Sequence, residues 1–300
     1  MKSLFVFVLT TLFVAAPAAN AALNVLTCEP EWAALTQELA GDLAEVSSAT
    51  TAQQDPHHIE ARPSLLARAR RADLLICTGA ELETGWLPLL QREAGNGKIQ
   101  PGQLGYFEAA RFARIIERPT ALDRAQGDVH ASGNPHLHLD PRNIARVADA
   151  LAKRLADLDP ANAARYGQRN ADFQGRWTAA MARWETQTAG LKGASVVVHH
   201  RNWSYLADWL GLTVVGELEP KPGMEPTASH LAALLETLKA TPASMVLRAA
   251  YESPKASAWL ASRASIPALE LPYTVGGSPE AKDLFGLFDD TLSRLLQAAP

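Results

Sequence analysis

Tyr166, Asn170, Phe173, Trp177, Met181 and Trp184 recur at helical spacing, and they commit about thirty residues, up to about Gly190, to one helix. Asp159-Pro160 supplies its start, an N-cap followed by a proline already fixed near the helical φ. At 1.5 Å per residue such a helix runs ~45 Å, longer than one small domain needs. A coiled coil is the alternative, but the stripe is short and rich in aromatics. The helix is therefore expected to pack inside its own chain and join two halves.

Both halves alternate strand and helix, the pattern of parallel βαβ units. In the first, Leu23–Thr27, 46–48 and 73–77 read as strands, and 112–116 as a further one. Helices are expected from Pro30, over Pro63–Arg71, around Leu82, Trp86, Leu87 and Leu90, and from Pro141. In the second, Ser195–Val198, 212–216, 245–248 and Ala268–Leu271 read as strands, with helices over 203–210, 227–239 and 283–296. The expected fold class is α/β: two Rossmann-like lobes with parallel sheets joined by one long rigid helix. The expected division is 1–21 leader, 22–158 first lobe, 159–192 connecting helix and 193–300 second lobe.

The leader has Lys2, an apolar run over 4–16 too short to span a bilayer, and Ala19-Asn20-Ala21 as a small-x-small cleavage site. Residue 22 is alanine, so no lipid anchor is expected there, and an exported, soluble protein follows. In a Gram-negative cell that means the periplasm. A formal net charge of −4 argues against nucleic acid as a partner. Cys28 and Cys77 are an even pair in an oxidising compartment, which suggests a disulfide; two buried thiols at strand ends are the alternative.

Histidines supply the chemistry. They cluster at His57-His58, at His130, His136 and His138 within residues 127–141, and at His199-His200. Three clusters, each at a turn or strand end, point to one metal site built from distant segments. Neutral imidazole suits zinc. Proline precedes both His57 and His136 and limits the entropy lost in ordering them. His199 and His200 leave a strand on opposite faces, so one of them is expected to line the site. There is no HExxH, GxSxG or glycine-rich phosphate loop. Glu60 is the one base a zinc hydrolase would find near His57, and it reads better as a carboxylate that starts a helix or orients a ligand. Glu81 and Glu83 read as a solvated helix start.

On these motifs the chain resembles the zinc/manganese-specific solute-binding proteins of ABC importers. QDPHHIEARPS is similar to the family's Asp-Pro-His-x-x-Glu segment at His57. NPHLHLDP is similar to its Asp-Pro-His-x-Trp-x-Asp-Pro segment at His136, and HRNWSY to its His-x-x-aromatic-x-Tyr segment at His200. LEPKPGMEPTASHL looks like its Pro-Gly turn before a helix. Asn134 and His138 depart from the aspartate and tryptophan usual there. Many members add an aspartate ligand from a late loop, and here the matching position is near Thr274.

The resemblance implies a binding protein, not an enzyme, with zinc held between the lobes by His57, His136 and His200. The fourth position is left to water, Asp283, Glu219 or His138, with His130 an accessory ligand or a solvated loop residue. Three imidazoles without an assured carboxylate favour zinc over manganese, which prefers oxygen ligands; the resemblance implies a membrane permease as partner, with a periplasmic metallochaperone as a further candidate, and a monomer. Manganese or iron binding and a zinc-dependent hydrolase are the competing readings. Metal loss is expected to change loop order over 127–138 rather than to open the lobes widely.

Overall fold

The computed structural model describes residues 22–119 and 130–299. The expected leader and residues 127–129 of the histidine loop lie outside them. Two four-stranded sheets, all parallel, have the same order. The first is β2-β1-β3-β4, from Leu23–Thr27 (β1), Ala44–Ser48 (β2), Leu74–Cys77 (β3) and Tyr106–Glu108 (β4). The second is β6-β5-β7-β8, from Ser195–Val198 (β5), Thr213–Glu217 (β6), Met245–Ala249 (β7) and Ala268–Leu271 (β8). Strand order reverses beside β1 and again beside β5, where open α/β sheets leave a crevice at their carboxyl ends. β3 reads LLIC with every residue buried, as a parallel strand covered on both faces should.

Nine α-helices are described. They are Pro30–Ala40 (α1), Pro63–Arg71 (α2), Leu87–Ala94 (α3), Pro141–Leu158 (α4), Ala163–Thr188 (α5), Ser204–Leu210 (α6), Ala228–Ala240 (α7), Pro254–Ala264 (α8) and Leu284–Ala298 (α9). α5 is the long helix. Its first expected turn, Pro160–Asn162, is 3₁₀, as is the turn after it, Ala189–Leu191. Tyr166, Phe173, Trp177, Ala180 and Trp184 form its buried stripe. Trp177 donates its indole N–H to the Pro141 carbonyl at 2.8 Å, and Trp184 donates to Asp289 Oδ1 at 2.6 Å, so both rings bury area without stranding a donor. One continuous apolar core runs from Val25 in β1 through this stripe to Val196 in β5 and Leu295 in α9. The lobes are thus fused along α5, a body poorly suited to wide hinge opening.

Three elements differ from the sequence expectation. Residues 112–116 form no strand. Side chains satisfy the backbone there instead: Asn143 bonds both N and O of Arg114, and the Tyr205 hydroxyl accepts from Ile116 N. β4 takes the place beside β3. α8 was not expected, although Ser253-Pro254 is a legible start, with the Ser253 hydroxyl accepting from Lys255 N. α3 begins at Leu87 because Gly79, Ala80 and Glu81 all have positive φ, which turns the chain sharply after β3. The Cys28–Cys77 disulfide forms, joining the ends of the adjacent strands β1 and β3.

Candidate metal centre

His57, His136 and His200 come together. One ring nitrogen from each lies within 4.8 Å of the others, and all three side chains are buried. Ring centroids are 5.3 Å apart for His57 and His136, 5.7 Å for His57 and His200, and 5.4 Å for His136 and His200. Each comes from a different local device. In Asp55-Pro56-His57, the Asp55 carboxylate accepts from His57 N at 3.0 Å; in Asn134-Pro135-His136, the Asn134 carbonyl oxygen accepts from His136 N at 3.0 Å. Both are Asx turns stiffened by the intervening proline. His200 is carried past the end of β5, at the carboxyl edge of the second sheet.

The Nδ1 atoms are all engaged. His57 Nδ1 is 2.7 Å from Asp55 Oδ1, His200 Nδ1 is 2.7 Å from Glu219 Oε2, and His136 Nδ1 is 2.7 Å from the Tyr273 hydroxyl. A carboxylate only accepts, so Nδ1 of His57 and of His200 carries the proton and the Nε2 lone pair is left for a ligand. Nε2 of His57 and of His136 is buried with no hydrogen-bond partner among the described residues. Burial, and then the charge His57 and His200 would carry, hold the His136 imidazole well below the usual histidine range. Burial also opposes charge on His200, but the hydrogen bond and charge of Glu219 outweigh it and hold His200 above that range.

Asn134 explains its own departure from aspartate. Its amide donates to Glu117 Oε2 at 2.9 Å and to the Arg201 carbonyl at 2.8 Å, tying the loop to the second lobe. An aspartate would set a carboxylate against a carboxylate.

The named fourth-ligand residues are otherwise engaged. Asp283 caps α9, accepting from Gly286 N at 2.8 Å. Glu219 backs His200 and accepts from Gly223 N. His136 and His138 do not share a face, because Leu137–Leu139 is a 3₁₀ turn. His138 donates Nε2–H to the Tyr273 carbonyl at 2.9 Å, and its Nδ1 lies 3.2 Å from Glu31 Oε1. Thr274 donates to Glu31 Oε2 at 2.5 Å.

Two sequence readings are corrected. Glu83 is not a solvated helix start. It is buried, accepts from Thr78 N and Gly79 N, and burial lifts its carboxyl to about 7. Its partner in that reading, Glu81, reaches Ala131 N at 2.6 Å. Glu60, expected to start a helix or orient a ligand, is exposed and lies 3.8 Å from Arg62, while α2 opens at Pro63 behind Arg62 as its N-cap. Tyr273 was missed. It is 137 residues from His136 in sequence, and nothing in LPYTVGG marks it as a histidine's partner. Asp55 was legible, since an acid two residues before a histidine forms an Asx turn. A second cluster, Cys28, Cys77 and Glu83, offers no thiolate, because its sulfurs are bonded to each other.

A family model described as zinc-uptake complex component A, periplasmic, matches residues 25–298. The high-affinity zinc uptake system protein ZnuA of Paracoccus denitrificans is 26% identical over 311 residues, covering 95% of this chain and 93% of that protein. The manganese ABC transporter substrate-binding lipoprotein PsaA of Streptococcus pneumoniae is 31% identical over 143 residues, 47% of this chain and 43% of that protein. The chain matches about half the length of such streptococcal relatives. A crystal structure of ZnuA superposes with a TM-score of 0.76 at 22% identity, over 93% of this chain and 100% of that one, and shares its fold.

Proposed function

Because this chain belongs to the zinc-uptake complex component A family, we propose that it is a periplasmic binding protein that captures zinc and hands it to the membrane permease of an ABC importer. The single observation that carries this reading is the trio of buried imidazoles from distant segments, each with its Nδ1 hydrogen-bonded and with one ring nitrogen of each within 4.8 Å of the others. Zinc is the cargo, and His57, His136 and His200 are its ligands. Three nitrogens favour zinc over manganese, which prefers oxygen. The two carboxylates, Asp55 and Glu219, stand behind histidines rather than facing the ion. They raise ligand basicity and balance the dication without supplying hard oxygen donors. Residues 1–21 act as the export leader, residues 22–158 and 193–300 form the lobes, and 159–192 connects them. The shared core keeps the lobes in register, so release is driven by the histidine loops rather than by a hinge.

PsaA is named for manganese, so manganese is the second reading, and one experiment separates the two. Metal-stripped protein is titrated with zinc and with manganese against a chelator, alongside His57→Ala, His136→Ala and His200→Ala. A single tight zinc site weakened by each substitution, with weak manganese binding, is the expected result. Tight manganese binding reassigns the cargo. Variants that bind zinc like the parent remove the site.

A further inference from the structure

The zinc reading leaves one ligand position of a tetrahedral ion to assign, and the chain brings a fourth imidazole to the place where it would be needed. The His130 ring lies stacked against His57, with centroids 5.4 Å apart and planes 23° from parallel. It lines the same small cavity as His136 and His200. Although the residue as a whole is half-buried, its Nε2 is fully buried and has no hydrogen-bond partner among the described residues. A polar nitrogen in that state is costly unless something bonds it.

His130 is held there by design of the backbone around it. Glu81, itself in the left-handed region at φ +71°, receives Ala131 N at 2.6 Å and the Ser132 hydroxyl at 3.4 Å. Gly133 N donates to the His130 carbonyl at 3.1 Å, and Asn134 N to Ile116 O at 2.9 Å. Gly133 has φ +104°, and a Cβ there would fall 2.5 Å from Ile115 Cγ2 and 2.7 Å from the Ile116 carbonyl, so only glycine lets the strap lie this close. Glu81 thus holds an uncommon left-handed conformation for a non-glycine residue while it anchors the strap. Asp283, Glu219 and His138 are each committed elsewhere, as described above.

We propose that His130 is the fourth zinc ligand, swinging from its stack on His57 to complete an all-imidazole site with no carboxylate on the ion. This rests on the zinc-binding reading of the other three histidines. His130 is not part of the tight trio, so a modest rotation of its ring accompanies binding. The strap from His130 to Gly133 is then the part of the protein that closes over the metal.

The test uses the mature, metal-stripped protein with cobalt(II) as a coordination probe and zinc competition for affinity. The variants are His130→Ala and His130→Phe, the second keeping a flat ring on His57 without a nitrogen. The expected result is a parent cobalt spectrum of tetrahedral intensity that drops to that of a higher-coordinate ion in both variants. Zinc affinity should fall by at least the roughly 10–100-fold that loss of an outer-shell partner costs, with thermal stability of the metal-free protein unchanged. Parent-like cobalt spectra in both variants overturn the proposal whatever the zinc affinity does. A spectrum lost in His130→Ala but kept in His130→Phe also overturns it, since the ring then acts by packing. If His57→Ala, His136→Ala and His200→Ala all retain parent binding, the underlying site fails and this assignment falls with it.

Discussion

Replacing Tyr273 by phenylalanine removes one oxygen from behind the proposed metal site, the only atom the substitution deletes. The ring keeps its edge-on contacts with His136, His138, Trp203 and Tyr251. What is lost is the 2.7 Å bond to His136 Nδ1, inside a region where both residues are buried. With Nε2 given to a metal, His136 carries its proton on Nδ1, and losing the hydroxyl leaves that buried N–H without its acceptor, at a cost of roughly 1–3 kcal/mol. A metal on Nε2 polarises the ring and strengthens the Nδ1–H bond, so most of that cost falls on the metal-bound state. At 1.4 kcal/mol per decade, zinc affinity should weaken about 5- to 150-fold, bracketing the 10–100-fold typical of outer-shell partners. The assay is zinc competition on parent, Tyr273→Phe and Tyr251→Phe. Tyr251 is the control: it packs on Tyr273 with centroids 5.5 Å apart, but its hydroxyl accepts from Asn202, not from a trio histidine. Parent affinity in Tyr273→Phe, or an equal loss in Tyr251→Phe, would refute the claim that this hydroxyl orients His136.

Two further outcomes depend on pH. His136 is held well below the ordinary histidine range and stays neutral, whereas His200 is held above it by Glu219 and is the first of the two to be protonated as pH falls. A proton on His200 competes with zinc, so affinity is full above its pKa and declines as pH drops through it, beginning above about 6.5. Glu219→Gln removes the raising influence and leaves burial, so the decline should move to lower pH; an unmoved midpoint would sink the assignment. Glu252, lifted to about 8 mainly by burial and accepting from Ala249 N, is protonated in the folded protein where the unfolded chain is ionised. Its contribution is therefore fully present below about 4.5 and lost as pH rises towards 8. Glu252→Gln should gain melting temperature relative to the parent more at pH 8 than at pH 5, measured with chelator present, and an equal difference at both pH values would contradict this.

The repeating architecture was legible because it rests on local rules: parallel strands buried on both faces, proline-started helices and an aromatic stripe at helical period. His57 and His136 were legible for the same reason, since Asx-Pro-His fixes its own turn without help from the rest of the chain. Tertiary structure decided what depends on approach between segments that sequence keeps apart. Residues 112–116 look like a strand, but Asn143 and Tyr205 take up their backbone groups. Glu83 looks solvated, but the turn after β3 folds it under Thr78 and Gly79. Glu219, plausible as a ligand, lies behind His200 because β6 runs beside β5 and sets the two ends together. Tyr273 comes from the loop after β8 to reach a histidine in the other lobe. A sequence states which groups can bond, and only the fold states which ones are brought within 3 Å.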